Sequence, residues 1–179
     1  MLRLPVSAHG THKPLPIGGV PPYLPFCMSP FGFALLAFFH LFGVLLVPSV
    51  LVRGFALRRA HESERAVAWL LRADNVWGIS ALVLLPTGLY RLFGPGKGLE
   101  YYLHNPFFHA KLTLFTLIFL LEIWPMVQLI RHRIANRGAP KLLDAASAQR
   151  FARMSMVQAA LLVGMLFCAV MMARGVGQF

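Results

Sequence analysis

Four long apolar runs divide the chain, and short basic stretches separate them. The runs are "FGFALLAFFHLFGVLLVPSVLV" at roughly 31–52, "NVWGISALVLLPTGLY" at roughly 74–92, "LTLFTLIFLLEIWPMVQLI" at roughly 110–130 and "MVQAALLVGMLFCAVMMA" at roughly 155–173. A helix needs about 20 apolar residues to cross the hydrocarbon core of a bilayer. The pattern therefore predicts four membrane-spanning helices, the second short and interrupted by Pro86. Residues 1–30, rich in Pro and Gly, read as an irregular segment lying over one face, and residues 31–175 as a single four-span domain. The expected fold class is an all-α, integral membrane four-helix bundle.

Composition supports this. Hydrophobic residues make up 58% of the 179, and the mean hydropathy is +0.65. A soluble domain of this length cannot hide so much apolar surface. The formal charge of +11 raises nucleic acid as a partner, but the basic residues lie between apolar runs, with no continuous patch and no nucleic-acid motif. They fit a topology signal and an attraction to anionic head groups. The link between spans one and two carries Arg53, Arg58, Arg59, Arg65 and Arg72. That between spans three and four carries Arg131, Arg133, Arg137, Lys141, Arg150 and Arg153. The N-terminus offers only Arg3 and Lys13, and the middle link Arg91 and Lys97, with Lys111 at its end. By the positive-inside rule both arginine-rich links are cytoplasmic, and both termini lie outside. The N-terminus has no early apolar region of the kind that marks a cleaved signal peptide, so the first span is expected to act as the insertion signal. These features point to a cytoplasmic membrane, among lipids.

Polar residues inside the spans call for reasons, since an ionisable group at mid-span costs about 2.5–3.5 kcal/mol on insertion scales. His40 falls roughly 10 Å below the outer interface by helical rise, with Gly43 and Val47 on its face. It is either a neutral imidazole hydrogen-bonded to a neighbouring helix or, among the aromatics of "LAFFHLFG", an axial ligand to a b-type haem. Arg91, His104, His109 and Lys111 fall at the outer ends of spans two and three, and outward-pointing propionates would reach the level of Lys111, Arg91 and His109. They also suit interfacial anchors beside the aromatic belt of Tyr101 and Tyr102. His109 lies roughly 10 Å above His40 along the membrane normal, too far for both to ligate one iron unless a helix tilts strongly.

Glu122, near the midplane of span three, suits either a proton relay or a protonated, hydrogen-bonded carboxyl. Asp74, in "RADN", reads as the cap of span two, with an interhelical Arg–Asp pair as the alternative. The methionines of span four read as packing. Cys27 and Cys168 are too few and too far apart for a disulfide framework or a zinc site. His9, His12, Cys27 and Met28 are ligand types that suit copper, without a spacing signature. "GPGKG" at 94–98 lacks the spacing of a phosphate loop.

The segments "FFHLFG", "RADNVWGISALVLLPTGLYR" and "YYLHNPFFHAKLTLF" resemble a family of bacterial four-helix membrane proteins of unknown function, over roughly residues 31–175. More distantly the chain resembles HemJ-type protoporphyrinogen oxidases and CopD-like membrane proteins. The former resemblance implies haem b, with His40 matching a span-one histidine, and His109 and Lys111 a His–Ala/Val–Lys element. The Pro-rich extension, Glu122 and the "LHNP" turn have no counterpart in that pattern. The leading expectation is thus a haem protein for electron transfer or redox chemistry near the outer face. His40 would be its iron ligand, and Lys111, His109 and Arg91 would steer carboxylates. Porphyrinogen oxidation is its enzymatic variant, and a redox partner is implied. The alternative is a cofactor-free subunit or scaffold of a larger membrane complex. Sequence leaves the oligomeric state open.

Overall fold

A computed structural model describes residues 29–94 and 99–177. The N-terminal segment, with His9, His12, Cys27 and Met28, lies outside the described residues, as does Lys97 of "GPGKG". Every regular element described is helical. Helix α1 (Pro30–Leu41) passes through a 3₁₀ segment (Phe42–Leu45) into α2 (Leu46–Arg58). The remaining helices are α3 (Glu64–Phe93), the short α4 (Leu99–Leu103), α5 (Pro106–Ala135) and α6 (Ala145–Ala173). Four stretches are long and apolar enough to cross a membrane: Pro30–Arg58, Glu64–Phe93, Pro106–Ala135 and Ala145–Ala173. At 1.5 Å per residue, a 30-residue helix runs about 45 Å, so α3 and α5 outreach a hydrocarbon core about 30 Å thick.

Each span begins at a side-chain cap. Ser29 accepts from Gly32 N–H (3.2 Å), Ser63 from Ala66 N–H (3.4 Å), Asn105 from Phe107 N–H (2.9 Å) and Asp144 from Ser147 N–H (3.0 Å). These bonds satisfy amides that the helix leaves without partners. Pro30 and Pro106 occupy first-turn positions, where proline's missing N–H costs nothing. The 3₁₀ segment has a local cause. Pro48 cannot donate to the Val44 carbonyl, and its ring crowds the preceding turn. The chain tightens there, with Leu46 N–H reaching back to Gly43 O.

The spans run up and down, so the two arginine-rich links share one end of the bundle. Leu143 N–H donates across them to Ala60 O (3.0 Å). Helix α2 packs against α3 and α6, and α5 against α6, whereas α1 packs chiefly against α3. The core is concentrated toward the arginine-rich end. One buried cluster there includes Leu57, Val67, Leu70, Leu129 and Phe151. A second, nearer the middle, includes Leu46, Val50, Trp77, Ile118 and Leu162. In the far half the packing thins. No residue of α1 is buried, the buried positions of α3 end at Ser80, and those of α5 begin at Ile118. Helix α6 alone keeps buried positions there, at Cys168 and Met172.

Candidate functional site

The strongest polar feature is a closed network around Arg53. This residue is wholly buried, five residues before Arg58 and thus about 8 Å along the helix from the arginine-rich end. Its Nη1 donates to Glu122 Oε1 (2.6 Å) and to Asp74 Oδ1 (3.4 Å). Its Nη2 donates to Glu122 Oε2 (2.7 Å) and to Gln158 Oε1 (2.6 Å), and its Nε to Ser155 Oγ (3.3 Å). All five guanidinium N–H groups therefore have acceptors. The Trp77 ring covers the ion, with its centroid 4.9 Å from Cζ. Gln158 closes the loop by donating to Glu122 Oε2 (2.8 Å). Arg53 comes from α2, Asp74 and Trp77 from α3, Glu122 from α5, and Ser155 and Gln158 from α6. All four spans are pinned at one level.

Asp74 extends the network toward the arginine-rich end. Arg133 of α5 donates to Asp74 Oδ2 (2.8 Å), Asn75 Oδ1 (2.6 Å) and Leu71 O (2.9 Å). Two arginines thus face two acidic side chains. This corrects two readings of the sequence. Asp74 does not cap a helix, because α3 begins ten residues earlier, at Glu64 behind the Ser63 cap; it is the interhelical Arg–Asp pair. Arg53 is not a link residue but the centre of the bundle. Glu122 is hydrogen-bonded, with Arg53 as its bidentate partner.

The far half holds the other polar set. His40 is half-buried, and its Nδ1 lies 3.1 Å from Thr87 Oγ1 on α3. The Thr87 hydroxyl has one proton, placed toward the backbone carbonyls of Val83 (2.7 Å) and Leu84 (3.0 Å). With that proton on either carbonyl, Oγ1 accepts from Nδ1–H, and in this tautomer the lone pair of the neutral ring lies on Nε2. Nε2 has no hydrogen-bond partner among the described residues. A Cβ at Gly88 would make an ordinary contact with His40 Cε1, at 3.4 Å. At Gly43, one turn on from His40, a Cβ would meet the tip of Leu84, Cδ1, at 2.5 Å.

Lys111 and Arg91 both lie within Coulombic reach of His40, and Arg91 is also near Lys111. Lys111 is half-buried and Arg91 exposed, and neither has a carboxylate partner among the described residues. The Tyr90 hydroxyl, three residues along α3 from Thr87, is buried without a hydrogen bond among the described residues. This cationic set has no counter-anion from the described chain.

His109 and His104 do not join it. His109 is exposed, with Nε2 2.8 Å from Leu103 O, and His104 Nδ1 sits 2.9 Å from Glu100 O. Phe38, Phe39 and Phe42 meet edge-on or tilted, with centroids 5.4–6.2 Å apart, on the exposed side of span one. No ring contact ties them to His40 among the described residues. Asn105 of "LHNP" is fully buried. Beyond capping α5, it donates from Nδ2 to Val176 O (3.0 Å) and so fastens the end of α6. Gly177 follows with φ +82°, where a Cβ would crowd Pro106 and Phe107. Of the span-four methionines, Met172 is buried, and Met154 and Met165 pack against the two clusters. No group of three or more His, Cys, Asp or Glu able to hold a metal occurs among the described residues.

Comparison with curated proteins and with solved structures returns no match. A family model does match, over residues 33–177, from early in α1 to beyond the end of α6. The chain belongs to the family described as Predicted membrane protein (DUF2214).

Proposed function

We propose that this protein holds a b-type haem in the far half of the bundle and serves electron transfer or redox chemistry near the outer membrane face. The observation that carries the reading is the His40 ring. A histidine that ligates a metal donates its other ring N–H to a fixed acceptor, which sets the tautomer and orients the free nitrogen. His40 and Thr87 have that arrangement, with Nε2 left over. The donor set around it suits the propionates of the same group: among the described residues Lys111 and Arg91 have no carboxylate partner and the Tyr90 hydroxyl has no hydrogen bond. The thin packing of the far half supports a guest larger than a side chain. The motif likeness of His40, His109 and Lys111 to HemJ-type proteins points the same way, and porphyrinogen oxidation is the enzymatic form of this reading. Iron bound at Nε2 would supply one-electron chemistry. The chain would hold the ligand, neutralise the carboxylates and exclude water. We place the arginine-rich end in the cytoplasm of a bacterial cell, following the charge bias of the links.

A reduced-minus-oxidised absorption spectrum of the detergent-purified protein, with haem quantification, tests this. The native chain should show a Soret band and the α-band of a b-haem, and His40→Ala should lose both. A colourless native protein from haem-replete cells would overturn the reading. The second reading, a cofactor-free subunit of a larger membrane complex, draws on the Arg53 network, which is complete without any ligand. It would then stand.

A further inference from the structure

A groove of about 680 Å³ opens where α2 ends and α3 begins. Phe55 of α2 and Trp69 of α3 line its apolar side. Arg58, Arg59, Ser63 and Arg65 line the rest, around the turn between the helices. This site shares no residue with the Arg53 network or with the His40 set.

Two observations say what fits it. The first is charge. Arg58, Arg59 and Arg65 are exposed, and none has a carboxylate within ion-pair distance among the described residues. Two acids lie nearby, Glu62, which meets His61 at 3.1 Å, and Glu64 in the first turn of α3, and neither pairs with these arginines. The first turn of α3 adds its positive end at the same place, with the Ala66 amide taken by Ser63. The second is the wall. Phe55 and Trp69 are 58% and 49% exposed, and each lies under an arginine: Arg58 Cζ is 5.6 Å from the Phe55 centroid, and Arg72 Cζ 5.4 Å from the Trp69 centroid. Stacking holds a guanidinium plane against an aromatic face and leaves its N–H fork free. A free phosphate would use the arginines and ignore the apolar wall. A lipid uses both, because its phosphate meets the N–H forks while its acyl chain lies along Phe55 and Trp69.

We infer that this groove is a binding site for an anionic phospholipid, with Arg58, Arg59 and Arg65 on the phosphate and Phe55 and Trp69 against the upper acyl chain. A basic pocket between spans at the membrane interface is the usual physical form of such a site. It is independent of the haem reading.

Trp69 supplies the probe. The full chain is reconstituted into phosphatidylcholine vesicles that contain brominated phosphatidylglycerol or, at equal low mole fraction, brominated phosphatidylcholine. Quenching assigned to Trp69 by comparison with Trp69→Phe should be several-fold greater for the anionic lipid. Replacing Arg58, Arg59 and Arg65 together with Gln should remove that excess. Replacing Arg131, Lys141 and Arg153 with Gln takes the same charge from the other link and should leave the excess in place. Inorganic phosphate at constant ionic strength should not displace the lipid. Equal quenching by the two lipids overturns the proposal. So does an excess lost equally in both triple variants, which would make it a property of the general surface field. Displacement by inorganic phosphate would assign the groove to a soluble anion and equally overturn it.

Discussion

Arg53 of α2 and Glu122 of α5 meet in two parallel hydrogen bonds of 2.6 and 2.7 Å, at a point where the arginine has no solvent exposure at all. Helices α2 and α5 do not pack extensively on each other; both lean on α6. The pair therefore joins elements that backbone packing leaves apart. Because Gln158, Ser155 and Asp74 take the remaining arginine protons, neither charge is stranded.

Removing one partner should be far worse than removing both. Breaking a buried pair leaves an uncompensated charge and costs about 3–5 kcal/mol, whereas apolar replacement of both is often near neutral. Arg53→Met and Glu122→Leu should each lower the thermal midpoint in detergent sharply, and the double variant should recover much of the loss. Buried Cys168 can report unfolding through thiol labelling, in a Cys27→Ser background. Additive losses in the double variant would show that the two residues act separately.

Arg53→Lys should fail to substitute. A lysine offers three donors from one point, against five in a planar fork. Gln158, Ser155 or Asp74 would lose its partner, at about 1–3 kcal/mol for a buried polar group left unsatisfied. A variant as stable as the native chain by the same labelling assay would mean that charge alone matters at this position.

Asn105 does two jobs that two substitutions can separate. Its oxygen caps α5 and its amide holds Val176. Asn105→Asp keeps the cap and loses the donor, and Asn105→Ala loses both. Hydrogen exchange at residues 174–177 should rise in both variants. Exchange in the first turn of α5 should rise only in the alanine variant, consistent with a cap worth about 0.5–2 kcal/mol.

How much of this was legible in the sequence depends on the kind of signal. The four spans show because each is a run longer than side-chain chemistry elsewhere would allow. Both arginine-rich links show because charge counts survive small errors of boundary. Arg53 was hidden by its neighbours, since an arginine ending an apolar run looks like an anchor. The signal lay in "GFAL", four apolar residues between Arg53 and Arg58, which carry the helix past it. A carboxylate at Glu122 then needed a cation inside the bundle, and Arg53 was the arginine available. Asp74 was misread because "SERA" at 63–66, the true start of α3, lies in a polar stretch that resembles a link. The partnership of His40 with Thr87 was not legible, because it depends on which helices become neighbours. The packing role of Asn105 was equally invisible, since its partner is a backbone carbonyl 71 residues away.

Asp144 predicts an acid-sensitive end to α6. Backbone N–H groups, foremost that of Ser147, hold its carboxyl below the usual range. A group whose pKa is depressed on folding contributes above its unfolded pKa and loses that contribution as pH falls through its folded value. Protection factors in the first turn of α6 should therefore drop below the ordinary carboxylate range in the native chain. In Asp144→Asn, which caps without titrating, they should stay flat.

The Thr87 hydroxyl provides the sharpest test of the His40 reading. A merely structural histidine and a ligating one share this hydrogen bond, so loss of stability cannot distinguish them. Thr87→Val removes the acceptor from Nδ1–H and keeps the side-chain shape. If His40 ligates iron, the variant should still bind haem and retain the b-type spectrum, but more weakly. Outer-shell partners of this kind are worth about 10–100-fold in metal affinity. Haem titration into the apoprotein, with the α-band as readout, measures the change. Thr87→Ser, which restores the hydroxyl, should recover native affinity. If titrated haem binds native protein, Thr87→Val and His40→Ala with one affinity, the haem does not sit on this histidine. The free Nε2 would then be only a solvent- or lipid-facing edge of an interhelical hydrogen bond.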